Sequence, residues 1–134
     1  MKHILIMEDN TLLGLEWVDM FESNGHSVTL TNNGDDAIDL LKNAKFDLVI
    51  TDLFVPNKKG GIHVAGHLLL MKTGAPPVIA VTGARRHIDG PSKPNFFLEQ
   101  VNKLGVSATL EKPFTASELL LTAHELWGRY RGRR

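Results

Sequence analysis

Five side chains in this 134-residue chain stand where short apolar runs end, and together they could handle a phosphoryl group. Glu8 and Asp9 close the run HILIM, Asp52 closes LVIT, Thr82 closes VIAV, and Lys112 follows the small run Ser107 to Leu110. Three carboxylates brought close would repel one another unless a cation lay among them. Oxygen ligands with open water positions suit Mg2+, which takes one or two carboxylates plus waters and a phosphate. A lysine and a hydroxyl beside them would neutralise and position phosphoryl oxygens. A carboxylate can itself be the nucleophile and form an aspartyl phosphate. Asp52, at the end of the stretch FDLVITDLFVP, is the candidate for that role.

Residues so far apart in sequence meet only if the elements before them run side by side. His3 to Met7 reads as a first strand, an apolar run rather than an alternation. Asn10 or Thr11 can cap a helix in which Leu12, Leu13, Leu15, Val18 and Phe21 recur at helical spacing, up to Ser23-Asn24-Gly25. Trp17 lies off that stripe and is expected to be partly exposed. Ser27 to Thr31 is a second strand, Asn32-Asn33-Gly34 a turn, and Ala37, Ile38, Leu41 and Ala44 mark a second helix. The third strand lies within Phe46 to Pro56 and suits burial on both faces.

After Gly60-Gly61 the pattern predicts a helix from about Ile62 to Lys72, ended by Gly74 and Pro76. Pro77 to Thr82 is a fourth strand and residues 84–94 a loop. A short helix from Phe96 to Leu104 and a fifth strand from Ser107 to Leu110 follow. Thr115-Ala116-Ser117-Glu118 is a capping box for a last helix carrying Leu119, Leu120, Ala123, Leu126 and Trp127. Five β–α units in succession predict an α/β fold of the (βα)5 flavodoxin-like, doubly wound type. Its five-stranded parallel sheet has helices on both faces and right-handed crossovers. In such a sheet the carboxyl ends of the strands share one crevice, so the five side chains converge there.

Bulk properties narrow the class. The length suits one domain over 1–134, with a core of about 2–128 and a short basic tail at 129–134. Fifteen basic residues balance fifteen acidic ones, so no net field draws the chain to nucleic acid or membrane. Cysteine is absent, which excludes disulfides and thiol catalysis and fits a reducing compartment. Without a signal-peptide pattern or a long apolar span, the expected location is the cytoplasm. His63 and His67 share a helical face but have no evident third ligand, so they are expected to be solvated. Arg85-Arg86 and the arginines of the tail, at 129, 131, 133 and 134, are the basic clusters. The tail suits a helix C-terminus better than a nucleic-acid contact, and Trp127 and Tyr130 are expected to pack rather than stack on bases.

The motifs ILIMEDN, DLVITDLFVPNKKGG, VIAVTG and LEKPF, in this order, make the chain resemble the receiver domains of two-component response regulators, from Lys2 to about Gly128. The resemblance implies that Asp52 accepts a phosphoryl group from a histidine kinase or a histidine phosphotransfer protein. Asp9 matches the direct magnesium ligand, Glu8 its acidic neighbour acting through water, and Phe54 the residue lending a backbone carbonyl to the ion. Thr82 matches the hydroxyl that bonds the phosphoryl oxygen, Lys112 the lysine that pairs with Asp52 or its phosphate, and Pro56 and Gly60 the turn after the acceptor.

Two departures concern readout. Thr109 stands where the family commonly has an aromatic residue three before the lysine. Thr82 and Lys112 are thirty residues apart, longer than is usual, with the extra length in the 84–94 loop. That loop borders the face of fourth helix, fifth strand and fifth helix by which receivers pair as homodimers or meet a downstream protein target.

The resemblance implies a single-domain response regulator that takes part in its own phosphorylation and hydrolysis and is not otherwise an enzyme. It would signal by altered protein contacts or by phosphorelay. Two alternatives stand beside it: a receiver-like interaction module with little phosphorylation-dependent switching, and an aspartyl-nucleophile phosphatase. Phe54, where such phosphatases carry a second acid, counts against the latter.

Overall fold

The computed structural model describes residues 1–52, 75–83 and 106–131, with backbone alone for the last three. Its strands are β1 (His3–Met7), β2 (Ser27–Thr31), β3 (Leu48–Asp52), β4 (Val78–Thr82) and β5 (Ala108–Glu111). The helices are α1 (Thr11–Ser23), α2 (Gly34–Asn43) and α3 (Ala116–Arg131). All strand pairs are parallel and the order is β2-β1-β3-β4-β5. The order reverses direction between β1 and β3, which is where a crevice opens at the carboxyl ends.

β3 and β4 are buried at every position, which explains why they read as unbroken apolar runs rather than alternations. One side of the sheet packs Ile4, Ile6, Leu48, Ile50, Ile79 and Val81 against Trp17 and Phe21 of α1 and Leu119, Ala123, Leu126 and Trp127 of α3. The other side packs Leu5, Met7, Val49 and Val78 against Ala37, Ile38 and Leu41 of α2.

Each helix begins on a side-chain cap. Asn10 Oδ1 accepts the Leu13 N–H at 3.1 Å and Asn33 Oδ1 the Asp36 N–H at 2.9 Å. Thr115 Oγ1 accepts the Glu118 N–H at 3.1 Å, the threonine half of the expected capping box. Each bond satisfies a donor that the first helical turn leaves free. Asp35 and Asp36 in the first turn of α2 and Lys42 in its last complement the helix dipole.

The buried face of α1 differs from the expected stripe. Leu12 is 82% and Leu15 50% exposed, whereas Trp17 is 1% exposed. The face that packs is Leu13, Gly14, Trp17, Val18 and Phe21, so α1 is rotated relative to its leucine spacing. Gly14 explains the rotation. A Cβ built there would lie 2.9 Å from Leu30 Cδ1, so α1 approaches β2 through its glycine. That approach turns Trp17 inward, where its ring stacks on Phe114 with centroids 5.5 Å apart and planes 21° apart.

At the opposite end of the sheet, Trp127 packs as expected, 8% exposed, with its Nε1–H donating to the Asp47 carbonyl at 3.1 Å. Asp47 Oδ2 accepts the His3 N–H at 2.8 Å, tying the start of β1 to the entry of β3. His26 Nδ1 accepts the Lys2 N–H at 3.2 Å, and its ring lies 5.1 Å from Trp127 and 6.0 Å from His124. The expected helices at 62–72 and 96–104 and the 84–94 loop lie outside the described residues. So do Phe54, Pro56, Gly60, His63, His67, Arg85, Arg86 and the side chains of the arginine tail.

Candidate functional site

The strand register places the sequence candidates together. Asp52 is the last residue of β3 and pairs in register with Val81, so Thr82, the last of β4, stands one residue further along the neighbouring strand. Glu8 follows β1 directly, and its N–H donates to the Thr31 carbonyl at 3.0 Å. Lys112 follows β5, and its N–H donates to the Thr82 carbonyl at 2.7 Å, extending the β4–β5 ladder by one bond.

The lysine joins the two buried acids. Lys112 Nζ lies 2.7 Å from Glu8 Oε1 and donates to Asp52 Oδ2 at 3.0 Å. Glu8 and Asp52 are 1% and 4% exposed. The second oxygen of Glu8 accepts the Asn10 N–H at 3.0 Å, so the turn that caps α1 also aims Glu8. Asp9 is exposed, and Glu8, Asp9 and Asp52 each offer a carboxylate oxygen within 4.8 Å of the others. Three hard oxygen donors at that spacing fit a Mg2+ ion that keeps several waters. Thr82 Oγ1 is buried and has no hydrogen-bond partner among the described residues. A buried hydroxyl left unsatisfied costs free energy and calls for a functional explanation.

Electrostatics follow from burial. Desolvation pushes the Glu8 carboxyl above its ordinary range, helped by the nearby charge of Asp52 and opposed by Lys112 and the Asn10 N–H. Desolvation also acts against the Lys112 ammonium, but its bond to Glu8 and the charge of Asp52 outweigh it and raise the lysine above its ordinary value. Lys112 therefore stays protonated at neutral pH, a fixed positive charge on Asp52.

Glu8, Asp9, Asp52, Thr82 and Lys112 thus all come to one strand-end crevice. Three further contributors escaped the sequence reading. Asn10 was visible as a cap, but its hold on Glu8 depends on a backbone N–H. Gly83 leaves room for Lys112, since a Cβ there would lie 3.2 Å from Lys112 Cδ. Trp17, expected to be partly exposed, is buried against Phe114, two residues after Lys112. Thr109 lies in β5, half-buried, in register with Ala80.

No helix among the described residues is long and apolar enough to cross a membrane. Comparison with known proteins matches residues 4–124 to the family model for the response regulator receiver domain. The polar-differentiation response regulator DivK of Brucella anthropi is 28% identical over 128 residues, covering 95% of this chain and 97% of DivK. The transcriptional regulatory protein PdtaR of Mycobacterium tuberculosis is 28% identical over 120 residues, 89% of this chain, which spans about half (53%) of PdtaR. Among solved structures, the Francisella response regulator 1452 receiver domain superposes with a TM-score of 0.79 at 24% identity, over 97% of this chain and 99% of that one. The parallel sheet, the acidic strand-end crevice with its lysine, and the family match over nearly the whole length agree, and the chain belongs to the response regulator receiver domains.

Proposed function

We propose that this receiver accepts a phosphoryl group on Asp52 from a phosphohistidine of a partner kinase or phosphotransfer protein. Convergence of Asp52, Lys112 and the Thr82 hydroxyl, unpaired among the described residues, on adjacent strand ends carries this reading. An Asp52 carboxylate oxygen would form the new bond to phosphorus as the P–N bond of the donor breaks. The electron pair stays on the imidazole nitrogen, which takes a proton from solvent. Lys112 and the Thr82 hydroxyl then hold phosphoryl oxygens, which spread negative charge in the transition state. Asp9, Glu8 and Asp52, with the Phe54 carbonyl carried over from the family motif, would hold Mg2+, whose charge offsets that of the phosphoryl oxygens.

The chain works as one receiver unit in the cytoplasm, without turnover of other substrates. Phosphorylation would change the set of ion pairs at Lys112 and so shift the balance between two conformations and the affinity for a downstream protein. The test is intact-protein mass after exposure to acetyl phosphate with Mg2+. Wild type should gain one phosphoryl group and Asp52→Ala none. Equal uptake by Asp52→Ala would sink the assignment.

A further inference from the structure

We propose that Trp17, on α1, is a positioning residue for Lys112, a proposal that builds on the phosphoryl-acceptor reading of this site. Lys112 has a long flexible side chain with four rotatable bonds, yet its ammonium must meet Glu8 and Asp52 together. Three contacts fix where that chain starts and how it runs. The Lys112 N–H is tied to the Thr82 carbonyl at 2.7 Å, which sets the residue before the side chain leaves the backbone. The alkyl chain passes the bare Cα of Gly83, so close that a Cβ there would lie 3.2 Å from Cδ. On the C-terminal side, Pro113 leads directly to Phe114, whose ring stacks on Trp17 with the planes 21° apart.

Trp17 differs from an ordinary core residue in what it holds. Phe114 is half-buried and stands two residues after Lys112, so the stack clamps the segment that carries the lysine. Its other end reaches the same pocket by a separate route. Trp17 belongs to α1, which is capped by Asn10, whose N–H holds Glu8 Oε2 at 3.0 Å. One helix therefore sets both the acid, through its cap, and the cation, through its tryptophan. Changing the ring at position 17 should alter the angle at which Lys112 enters the crevice while leaving Glu8, Asp9 and Asp52 intact. A mere space-filling role would have no such focus on one side chain.

The full chain, labelled with 13C-lysine, gives a readout that does not depend on phosphorylation. The Lys112 ε-methylene resonance is assigned by its loss in Lys112→Arg. Trp17→Leu and Phe114→Leu should each shift that resonance and slow phosphoryl uptake from acetyl phosphate about fivefold at fixed Mg2+. Trp17→Phe, which keeps a stacking ring, should stay within about twofold of wild type. Leu41→Ala, in the opposite core layer, should cost stability and leave the resonance in place. Where Trp17→Leu does not fold, Phe114→Leu decides, because it removes the half-buried partner of the same stack. An unmoved Lys112 resonance in folded Phe114→Leu, or an equal shift in Leu41→Ala, overturns the proposal. If wild type takes up no phosphoryl group, the acceptor reading fails by itself, and the lysine resonance still decides the role of Trp17.

Discussion

Glu8 shows the conflict between stability and function at the scale of one residue. Its carboxylate is buried and lies beside a second acid, and its ordinary pKa is raised chiefly by desolvation. A raised folded pKa means that the ionised form costs stability at neutral pH, a cost relieved as pH falls below the folded value. On the proposed function, the charge is kept for the metal ion. Glu8→Gln should therefore raise the thermal midpoint of the metal-free protein by about 2–4 °C. The same change should weaken Mg2+ binding roughly tenfold, since Gln cannot supply the charge next to the ion. Thermal denaturation without metal and titration calorimetry with it measure the two effects. A lowered midpoint would mean that the Lys112 pair outweighs the desolvation. The site was legible at this scale because Glu8, Asp9, Asp52, Thr82 and Lys112 each stand at a strand end. Their supports were not, because backbone donors and the absent Cβ of Gly83 leave no chemical signature in a sequence.

Among the elements, β1 and β2 match the expected spans residue for residue, β4 starts one residue later than expected, and β5 is shifted by one residue at both ends. Strands buried on both faces announce themselves as apolar runs, and their limits fall where polar residues begin. α1 is the counterexample. Leu12 and Leu15 look like a core stripe, yet they face outward, because contact with β2 is made through Gly14 rather than through a large side chain. Hydrophobic spacing has no means of scoring a close approach. Gly14→Ala tests this. Alanine favours a helix over glycine by about 1 kcal/mol. Here, however, both methyls and Cγ of Leu30 lie within 3.6 Å of the new Cβ, so a flip that swaps the two methyls gives no relief. Overpacking costs about 1–3 kcal/mol, and the net expectation is a loss of about 1 kcal/mol in urea denaturation. A gain in stability would show that α1 has room to retreat.

Viewed as one molecule, the sheet has a chemical end and a structural end. The structural end gathers Lys2, His3, His26, Asp47, His124 and Trp127. His26 faces His124 and Trp127 of α3, Phe21 of α1, and Lys2 and the N-terminal ammonium before β1. Burial, together with the charges of His124, the N-terminus and Lys2, holds the His26 imidazole below its ordinary value of 6.5. The unfolded chain therefore takes a proton before the folded one does. Stability is full above the ordinary value and declines as pH falls from there toward the folded pKa. Thermal midpoints taken from about pH 7.5 down to about pH 5 should fall more steeply in wild type than in His26→Gln. Parallel slopes would remove His26 from the account. Apart from the packing of Trp127, this end was not legible beforehand, since its groups lie in β1, just before β1, β2 and β3, and in α3, and share no motif.

The position of Lys112 late in the chain has a consequence for biosynthesis. A polypeptide leaving the ribosome contains Glu8 and Asp52 long before residue 112 is made. β1 and β3 are direct neighbours, so early pairing would enclose two carboxylates with no ammonium between them. Burying unpaired charge is among the most costly events in folding. The expectation is that the nascent half-sheet closes tightly only once β5 docks and delivers its cation. The pocket that would handle phosphate would then also act as the latch for the strand made last.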